Sequence, residues 1–173
     1  GHMAAMPAAH DRFAAHDVPL TWLIDYPIAT CPRSIEILRS LIADGRSAIG
    51  TQLHPWVNPP FDEEVCIHNS FAGNLPAPLE EQKLVALTQA ITKAFGIPPL
   101  VYRAGRYGIG PHSLATLARL GYRADTSMRS GYDYSGQDGP DFSAIANRAF
   151  RTGPGQSIVE LPLATVFTGA LRR

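Results

Sequence analysis

Apolar residues along this chain follow two spacings, one typical of strands and the other of helices. Short apolar runs at Val18 to Asp25, Ser47 to Leu53 and Leu100 to Ala104 predict buried strands. Two later runs, Tyr122 to Thr126 and Ser157 to Leu161, predict a fourth and a fifth strand. Strands that alternate with helices are typical of parallel sheets with right-handed crossovers. The pattern therefore predicts an α/β domain, and it leaves open whether the sheet is open or closed into a barrel.

Helical spacing appears in three segments between these strands. The clearest helix runs from Leu79 to Phe95, with one apolar stripe, Gly96 as its stop and Pro98 beyond it. Shorter helices are predicted at residues 35–42 and 114–120. A long proline-rich loop, Pro55 to Pro78, separates the second strand from the long helix. Binding sites are commonly located in such loops.

Composition restricts the class of protein and of partner. The chain has 173 residues, 45% of them hydrophobic, which is enough for one domain with a substantial core. Its 15 Lys and Arg balance 15 Asp and Glu, so neither a nucleic acid nor an anionic membrane is an expected partner. The sequence contains no apolar run near the roughly 20 residues that span a bilayer and no secretory signal pattern. We therefore expect a cytoplasmic protein.

Two details complete this picture. Gly1 to Met3 has the pattern of a tag-cleavage remnant, so the predicted domain comprises residues 4–173. Cys31 and Cys66 form no metal-binding pair and are predicted to be free thiols, with a single disulfide between them as the alternative.

Five polar residues fall at the carboxyl ends of predicted strands: Asp25, His54, Arg103, Asp125 and Glu160. In parallel α/β folds the ligand site lies at this rim of the sheet. The sequence therefore predicts that the imidazole, guanidinium and carboxylate groups of these residues converge there. Each residue taken alone could equally be a structural cap.

The loop after the third strand carries two arginines and an aromatic residue. Arg103 and Arg106 are three residues apart in a glycine-rich turn, and both could face one pocket that recognises oxygen groups. Tyr107 follows directly and is a candidate for substrate contact. The alternative is a pair of surface arginines on an ordinary loop.

Further candidates lie at the ends of other strands. His54 is a candidate metal ligand or general acid, with a loop anchor as the alternative, and Trp56 beside it could stack on a sugar or simply pack the loop. Asp125 could orient a catalytic histidine, pair with Arg103, or cap the following turn. Glu160 is a candidate partner for an arginine and a candidate contact to substrate.

Five segments together resemble the polysaccharide deacetylase family, the NodB-homology type of carbohydrate esterase, and most closely its bacterial branch labelled WalW-like. They are IGTQLHPWVNPPF (Ile49 to Phe61), NSFAGNLP (Asn69 to Pro76), YRAGRYGIG (Tyr102 to Gly110), LGYRADTS (Leu120 to Ser127) and GPDF (Gly139 to Phe142). The resemblance extends from about residue 19 to residue 169.

The resemblance implies a distorted (β/α)7 barrel that removes N- or O-acetyl groups from a polysaccharide with zinc or another divalent metal. In that chemistry the metal polarises the acetyl carbonyl and acidifies a water, an Asp acts as base and a His protonates the leaving amine. By position, the resemblance implies His54 as a metal ligand, Arg103 as the residue that orients the base carboxylate, and Asp125 as the group that tunes the catalytic histidine.

The sequence departs from the family pattern at three motifs. The strand that supplies the base Asp and the ligand Asp would precede the helix end at Asp11 to His16 and lie upstream of Gly1. Gln52 and His54 stand where the family has two histidines, and glutamine is a poor zinc ligand. The motif with the leaving-group histidine would follow Gly169. We therefore expect an incomplete (β/α)7-type barrel without its first strand, and impaired hydrolysis.

Three hypotheses follow. The chain is a deacetylase-type hydrolase seen in part, a catalytically inactive relative that binds a glycan or a protein, or an unrelated α/β domain with an arginine-lined anion site. A barrel without its first strand would expose an edge, so we also expect a homodimer.

Overall fold

The computed structural model describes residues 2–166 and residue 168 of the chain. Within these residues one sheet has six strands, in the spatial order β1-β2-β3-β4-β6-β5. The strands are β1 (Thr21–Ile24), β2 (Ala48–Leu53), β3 (Val101–Ala104), β4 (Ala124–Asp125), β5 (Phe150–Thr152) and β6 (Ile158–Glu160). Neighbouring strands are parallel, except that β5 is antiparallel to β6.

The predicted α/β class is confirmed, and the five predicted strands correspond to β1, β2, β3, β4 and β6. The antiparallel strand β5 was not predicted. It has three residues, Phe-Arg-Thr, and none of them is fully buried, so it carries no periodic apolar signal. The sheet formed by the described residues is open, with β1 and β5 at its two edges, as an incomplete barrel requires.

Five α-helices are found in the described residues: α1 (Met6–Ala14), α2 (Tyr26–Thr30), α3 (Pro32–Leu41), α4 (Ala77–Phe95) and α5 (Ser113–Arg119). The prediction for α4 is confirmed to within two residues. Gly96 ends this helix at φ 79°, a left-handed conformation that favours glycine, and its N–H donates to the Thr92 carbonyl at 2.8 Å. None of the helices in the described part of the chain is long and apolar enough to cross a membrane.

The short helix α2 was not predicted. Asp25 follows β1 directly, and its carboxylate accepts the N–H of Ile28 at 3.1 Å, which is the contact of a helix N-cap. Pro27 lies in the first turn of the helix, where its missing N–H costs nothing. With five residues, α2 is too short to show a helical period in the sequence. Asp25 therefore has a structural role at the rim.

The sheet has one fully covered face and one partly open face. Register pairs join a row of five residues across the parallel strands: Ile24, Thr51, Tyr102, Asp125 and Glu160. We call this set the buried row, because Ile24 is 5% exposed and the other four are 0% exposed. Leu84, Leu87 and Ile91 of α4 and Leu117 of α5 pack in the same core.

Side chains alternate along a strand, so the neighbours of the buried row point to the opposite face. Four of these neighbours are half-buried: Leu23, Gln52, Arg103 and Thr126. We call this side of the sheet the open face. The division between the buried row and the open face decides which of the predicted site residues can meet.

Candidate functional site

The predicted rim exists, because the parallel strands end along one edge of the sheet. Asp25 and His54 directly follow β1 and β2, Arg103 is the third of the four residues of β3, and Asp125 and Glu160 end β4 and β6. Their side chains, however, do not converge on one point. Asp125 and Glu160 belong to the buried row, whereas Arg103 lies on the open face.

Asp125 and Glu160 form a buried carboxyl pair. They are register partners on neighbouring strands, and both are 0% exposed. One Asp125 oxygen accepts the N–H and O–H of Ser127, at 3.2 and 2.5 Å, and one Glu160 oxygen accepts the Met128 N–H at 3.1 Å. The second oxygen of each carboxyl has no other donor among the described residues. Burial raises the pKa of both carboxyls, so the pair favours a bound proton.

Burial, reinforced by the neighbouring Asp125 carboxyl, raises the pKa of Glu160 to about 10. At neutral pH the pair therefore keeps a proton that exposed carboxyls would have released. It joins β4 to β6 and fixes the turn at residues 126–128.

These contacts differ from the predicted ones. Asp125 binds Ser127 and Glu160 in place of a histidine or Arg103, so of the three roles considered it has that of a cap on the following turn. Glu160 binds Asp125 and the Met128 backbone in place of an arginine. Because Glu160 is fully buried, it also has no surface with which to contact a substrate directly. The register of β4 and β6, which a sequence does not reveal, is the reason.

Arg103 lies on the open face and holds the turn after β4. Its Nε donates to the Thr126 carbonyl and its Nη2 to Thr126 Oγ1, both at 3.1 Å. Gln52 is its register partner on β2 and is also half-buried. A bound ligand on the open face would therefore meet an amide and a guanidinium side by side.

His54 and Trp56 lie together at the end of β2. Their ring centroids are 4.8 Å apart with an interplanar angle of 55°, and Trp56 is 38% exposed. A Cβ at Gly105, directly after β3, would come within 2.4 Å of His54 Nδ1, so only glycine permits this approach of the backbone to the imidazole. Burial lowers the pKa of His54. The imidazole is thus neutral at pH 7, as a metal ligand or a base must be.

The metal site that the resemblance implies requires several donor side chains close together. His54 Nδ1 is buried without a hydrogen-bond partner in the described chain, so it could supply one ligand. Among the described residues, however, no three His, Cys, Asp or Glu side chains lie close enough together to hold a metal ion. Catalytic zinc sites use three protein ligands. The described residues therefore do not fit a zinc ion.

Arg106 joins three loops around the rim. Its Nη1 donates to Ser70 Oγ at 2.6 Å, its Nη2 donates to Gln137 Oε1, and its guanidinium lies 4.4 Å from the centre of the Phe71 ring. Arg106 and Tyr107 both have left-handed backbones, with φ of 52° and 61°, and such strain is typical of functional loops.

The two arginines consequently bind different partners, Arg103 the turn after β4 and Arg106 the outer loops. Within the described part of the chain, Arg103 and Arg106 do not form the predicted common pocket, which was also the basis of the anion site in the third hypothesis. A spacing of three residues predicts that the two guanidinium groups converge only if the backbone between them is regular. The left-handed pair at residues 106 and 107 redirects the second guanidinium.

A cavity of about 350 Å³ lies between Trp56 and Arg106. We call it the rim pocket. Its wall is completed by the loop before α4, through Glu63, Glu64, Val65, Cys66, Asn69 and Ser70. Of these residues the sequence analysis singled out Cys66, as a predicted free thiol, and Asn69 and Ser70, as part of a segment that carries the resemblance. Cys66 and Cys31 are free thiols, as predicted.

Beside Arg106 lies a second aromatic group, which we call the tyrosine stack. Tyr134 stacks between Tyr107 and Tyr132, with centroid distances of 5.8 and 5.7 Å and interplanar angles of 22° and 28°. The Arg129 guanidinium lies 3.3 Å from the centre of the Tyr132 ring, and Tyr132 is 36% exposed. Sequence reasoning identified only Tyr107. Tyr132 and Tyr134 lie in an irregular loop whose spacing carries no signal.

Comparisons with known proteins place this geometry in context. No protein-family model matches the chain, and no curated protein sequence matches it either. Among solved structures, a candidate polysaccharide deacetylase from Mycobacterium smegmatis is similar, with a TM-score of 0.63 and 21% identity over 91% of this chain and 45% of that chain.

Two further solved structures are similar. IcaB from Ammonifex degensii has a TM-score of 0.55 and 16% identity over 72% of this chain and 55% of its own. The BpsB deacetylase domain from Bordetella bronchiseptica has a TM-score of 0.55 and 12% identity over 93% of this chain and 67% of its own. The chain spans about half the length of the first two of these structures. The similarity to all three shows that it has the α/β fold found in polysaccharide deacetylases.

Proposed function

We propose that this chain is a polysaccharide-deacetylase-like domain that binds a carbohydrate at the rim of its sheet. The observation that carries the proposal is the exposed ring of Trp56 at the mouth of the rim pocket. Sugars offer C–H faces that pack on aromatic rings and hydroxyl groups that need polar partners. The shared fold supports a carbohydrate as the ligand class.

Two groups of residues would contact different units of the bound carbohydrate. Trp56 and the rim pocket would hold one sugar unit, with Arg106 at the pocket wall, and Tyr107 in the tyrosine stack would contact a neighbouring unit. Arg106 supports both groups, since it bonds to Ser70 beside the pocket and to Gln137 beside the stack. A polymer is thus a better match than a monosaccharide.

Hydrolysis of N- or O-acetyl groups is the reaction that the family resemblance implies. At the rim the described residues offer the imidazole of His54 but no three-ligand set, so the proposal for the chain as sequenced is binding with impaired turnover. His54 would then serve as a polar contact beside Trp56. The second candidate, an active deacetylase, is favoured only by the neutral and unpartnered imidazole.

Calorimetric titration with an N-acetylated chitooligosaccharide tests the proposal. We expect saturable binding by the wild type and at least tenfold weaker binding by Trp56→Ala. Trp22→Phe is the matched control, because Trp22 lies on β1 away from the rim pocket. Absence of binding by the wild type, or equal affinity of the Trp56→Ala variant, would refute it.

An acetyl-release assay with excess zinc separates the two candidates. We expect no release above the rate without protein. Acetate production that is lost in His54→Ala would establish the active deacetylase and contradict the binding proposal.

A further inference from the structure

The ammonium group of Lys83 is buried beneath the loop that carries Trp56. Lys83 lies on α4 and is 0% exposed, although a buried charge is unfavourable unless every donor has a partner. Its Nζ donates to the carbonyls of Pro55 at 3.1 Å and Asn58 at 2.7 Å, and also to that of Pro60. The carboxylate of Glu63 lies 2.9 Å away.

The loop also bonds back to the same turn of α4. The side chain of Asn58, which is fully buried, donates to the Lys83 carbonyl at 2.9 Å and to the Pro59 carbonyl at 2.8 Å. The Phe61 ring lies 5.5 Å from the ammonium group. Residues 55–63 are thus attached to one lysine through backbone, side-chain and charge contacts.

These contacts surround the binding residue. Trp56 lies between Pro55 and Asn58, and Lys83 holds the carbonyls of both. Glu63, the carboxylate that neutralises Lys83, is part of the wall of the rim pocket. The position of Trp56 and the shape of the pocket therefore depend on the same ammonium group.

We propose that Lys83 is the positioning residue of the rim pocket, and that its ammonium group selects the single conformation of residues 55–63 in which Trp56 faces a ligand. An apolar residue would fill the space but leave three loop carbonyls and one carboxylate without a donor. The loop would then turn these groups toward water. The ligand itself rests on the carbohydrate-binding function proposed above.

The test uses the whole chain with Trp22→Phe, which leaves Trp56 as its one tryptophan, since the chain has two. Lys83→Met is compared with Lys93→Met, the same change at an exposed position of the same helix. We expect Lys83→Met to be folded, as shown by a cooperative unfolding transition in circular dichroism. Acrylamide quenching of Trp56 fluorescence should rise at least twofold, and the affinity for a chitooligosaccharide should fall about tenfold. Lys93→Met should match its parent in all three measurements.

A folded Lys83→Met protein with unchanged quenching and affinity would overturn the proposal. If Lys83→Met does not fold, Lys83→Gln decides, because its side-chain amide can still donate hydrogen bonds to the loop but carries no ammonium group. Raised quenching in Lys83→Gln supports the proposal, and parental quenching refutes it. Should the parent bind no carbohydrate, the proposed function fails, while the quenching measurement still decides the role of Lys83.

Discussion

At the residue scale, two tyrosines in the core show that the same buried side chain can contribute differently to the free energy of unfolding. Tyr102 and Tyr122 are both almost fully buried, with ring centroids 6.0 Å apart. The Tyr122 hydroxyl bonds to the hydroxyls of Thr51 and Thr88, each at 2.8 Å. The Tyr102 hydroxyl is buried with no hydrogen-bond partner among the described residues. Burial of an unpaired hydroxyl opposes folding, whereas burial of a paired one does not.

The first prediction follows from that difference. Tyr102→Phe removes an unpaired hydroxyl, so the free energy of unfolding should stay the same or rise by up to about 1 kcal/mol. Tyr122→Phe removes the partner of two buried threonines and should lower it by about 1–2 kcal/mol. Urea unfolding of both variants gives the comparison. A larger loss for Tyr102→Phe than for Tyr122→Phe would contradict it.

At the element scale, one carboxyl connects the first turn of α4 to the start of α5. Glu80 is 2% exposed and accepts a hydrogen bond from the Ser113 hydroxyl. The oxygen of that hydroxyl in turn accepts a hydrogen bond from the Gly110 N–H at 2.9 Å. Burial raises the pKa of Glu80 from 4.5 to about 7. The native state therefore keeps this proton over a range in which the unfolded chain has released it.

The second prediction concerns pH. Between pH 4.5 and 7 the native state binds more protons at Glu80 than the unfolded state, so the free energy of unfolding should fall as the pH rises. The contribution of Glu80 is about 3 kcal/mol in total and is constant above pH 7. Glu80→Gln should remove it. Denaturant unfolding at intervals of pH measures the difference between variant and wild type.

Glu81→Gln is the control, because the neighbouring Glu81 is partly exposed and pairs with Arg119 at 2.7 Å. Its pH profile should follow that of the wild type. Parallel profiles for Glu80→Gln and the wild type would show that Glu80 titrates normally.

At the scale of the whole molecule, the open sheet has consequences for assembly. β1 lies at one edge, and the backbone groups on its outer side have no strand partner in the described chain. The open face beside this edge is only half covered. Free strand edges of this kind pair readily with a second chain.

The third prediction is therefore the homodimer expected from the sequence. Light scattering at tens of micromolar should give twice the 18.7 kDa mass of one chain. Leu23→Lys places a charge on β1 and should shift the protein toward the monomer. Val18→Lys, at an exposed position before the strand, should not. A monomeric mass for the wild type would disprove the prediction.

Local patterns were enough for much of the fold. The helix α4, its glycine stop and the five parallel strands follow from apolar spacing and from the backbone preferences of single residues. The placement of His54, Arg103 and Asp125 at strand ends follows from the same pattern. Each of these features is set by neighbours in the sequence, so the sequence reveals them.

Side-chain direction and partnership needed the tertiary structure. A shift of one residue at a strand end moves a side chain to the other face, and this separates Asp125 from Arg103. The partners of Glu160 and Lys83 lie 20 to 35 positions away along the chain. Such contacts depend on register and on loop conformation, which packing of the whole domain determines. The spacing of apolar residues can therefore be read from the sequence alone, whereas the contacts of the rim residues depend on how the whole domain packs.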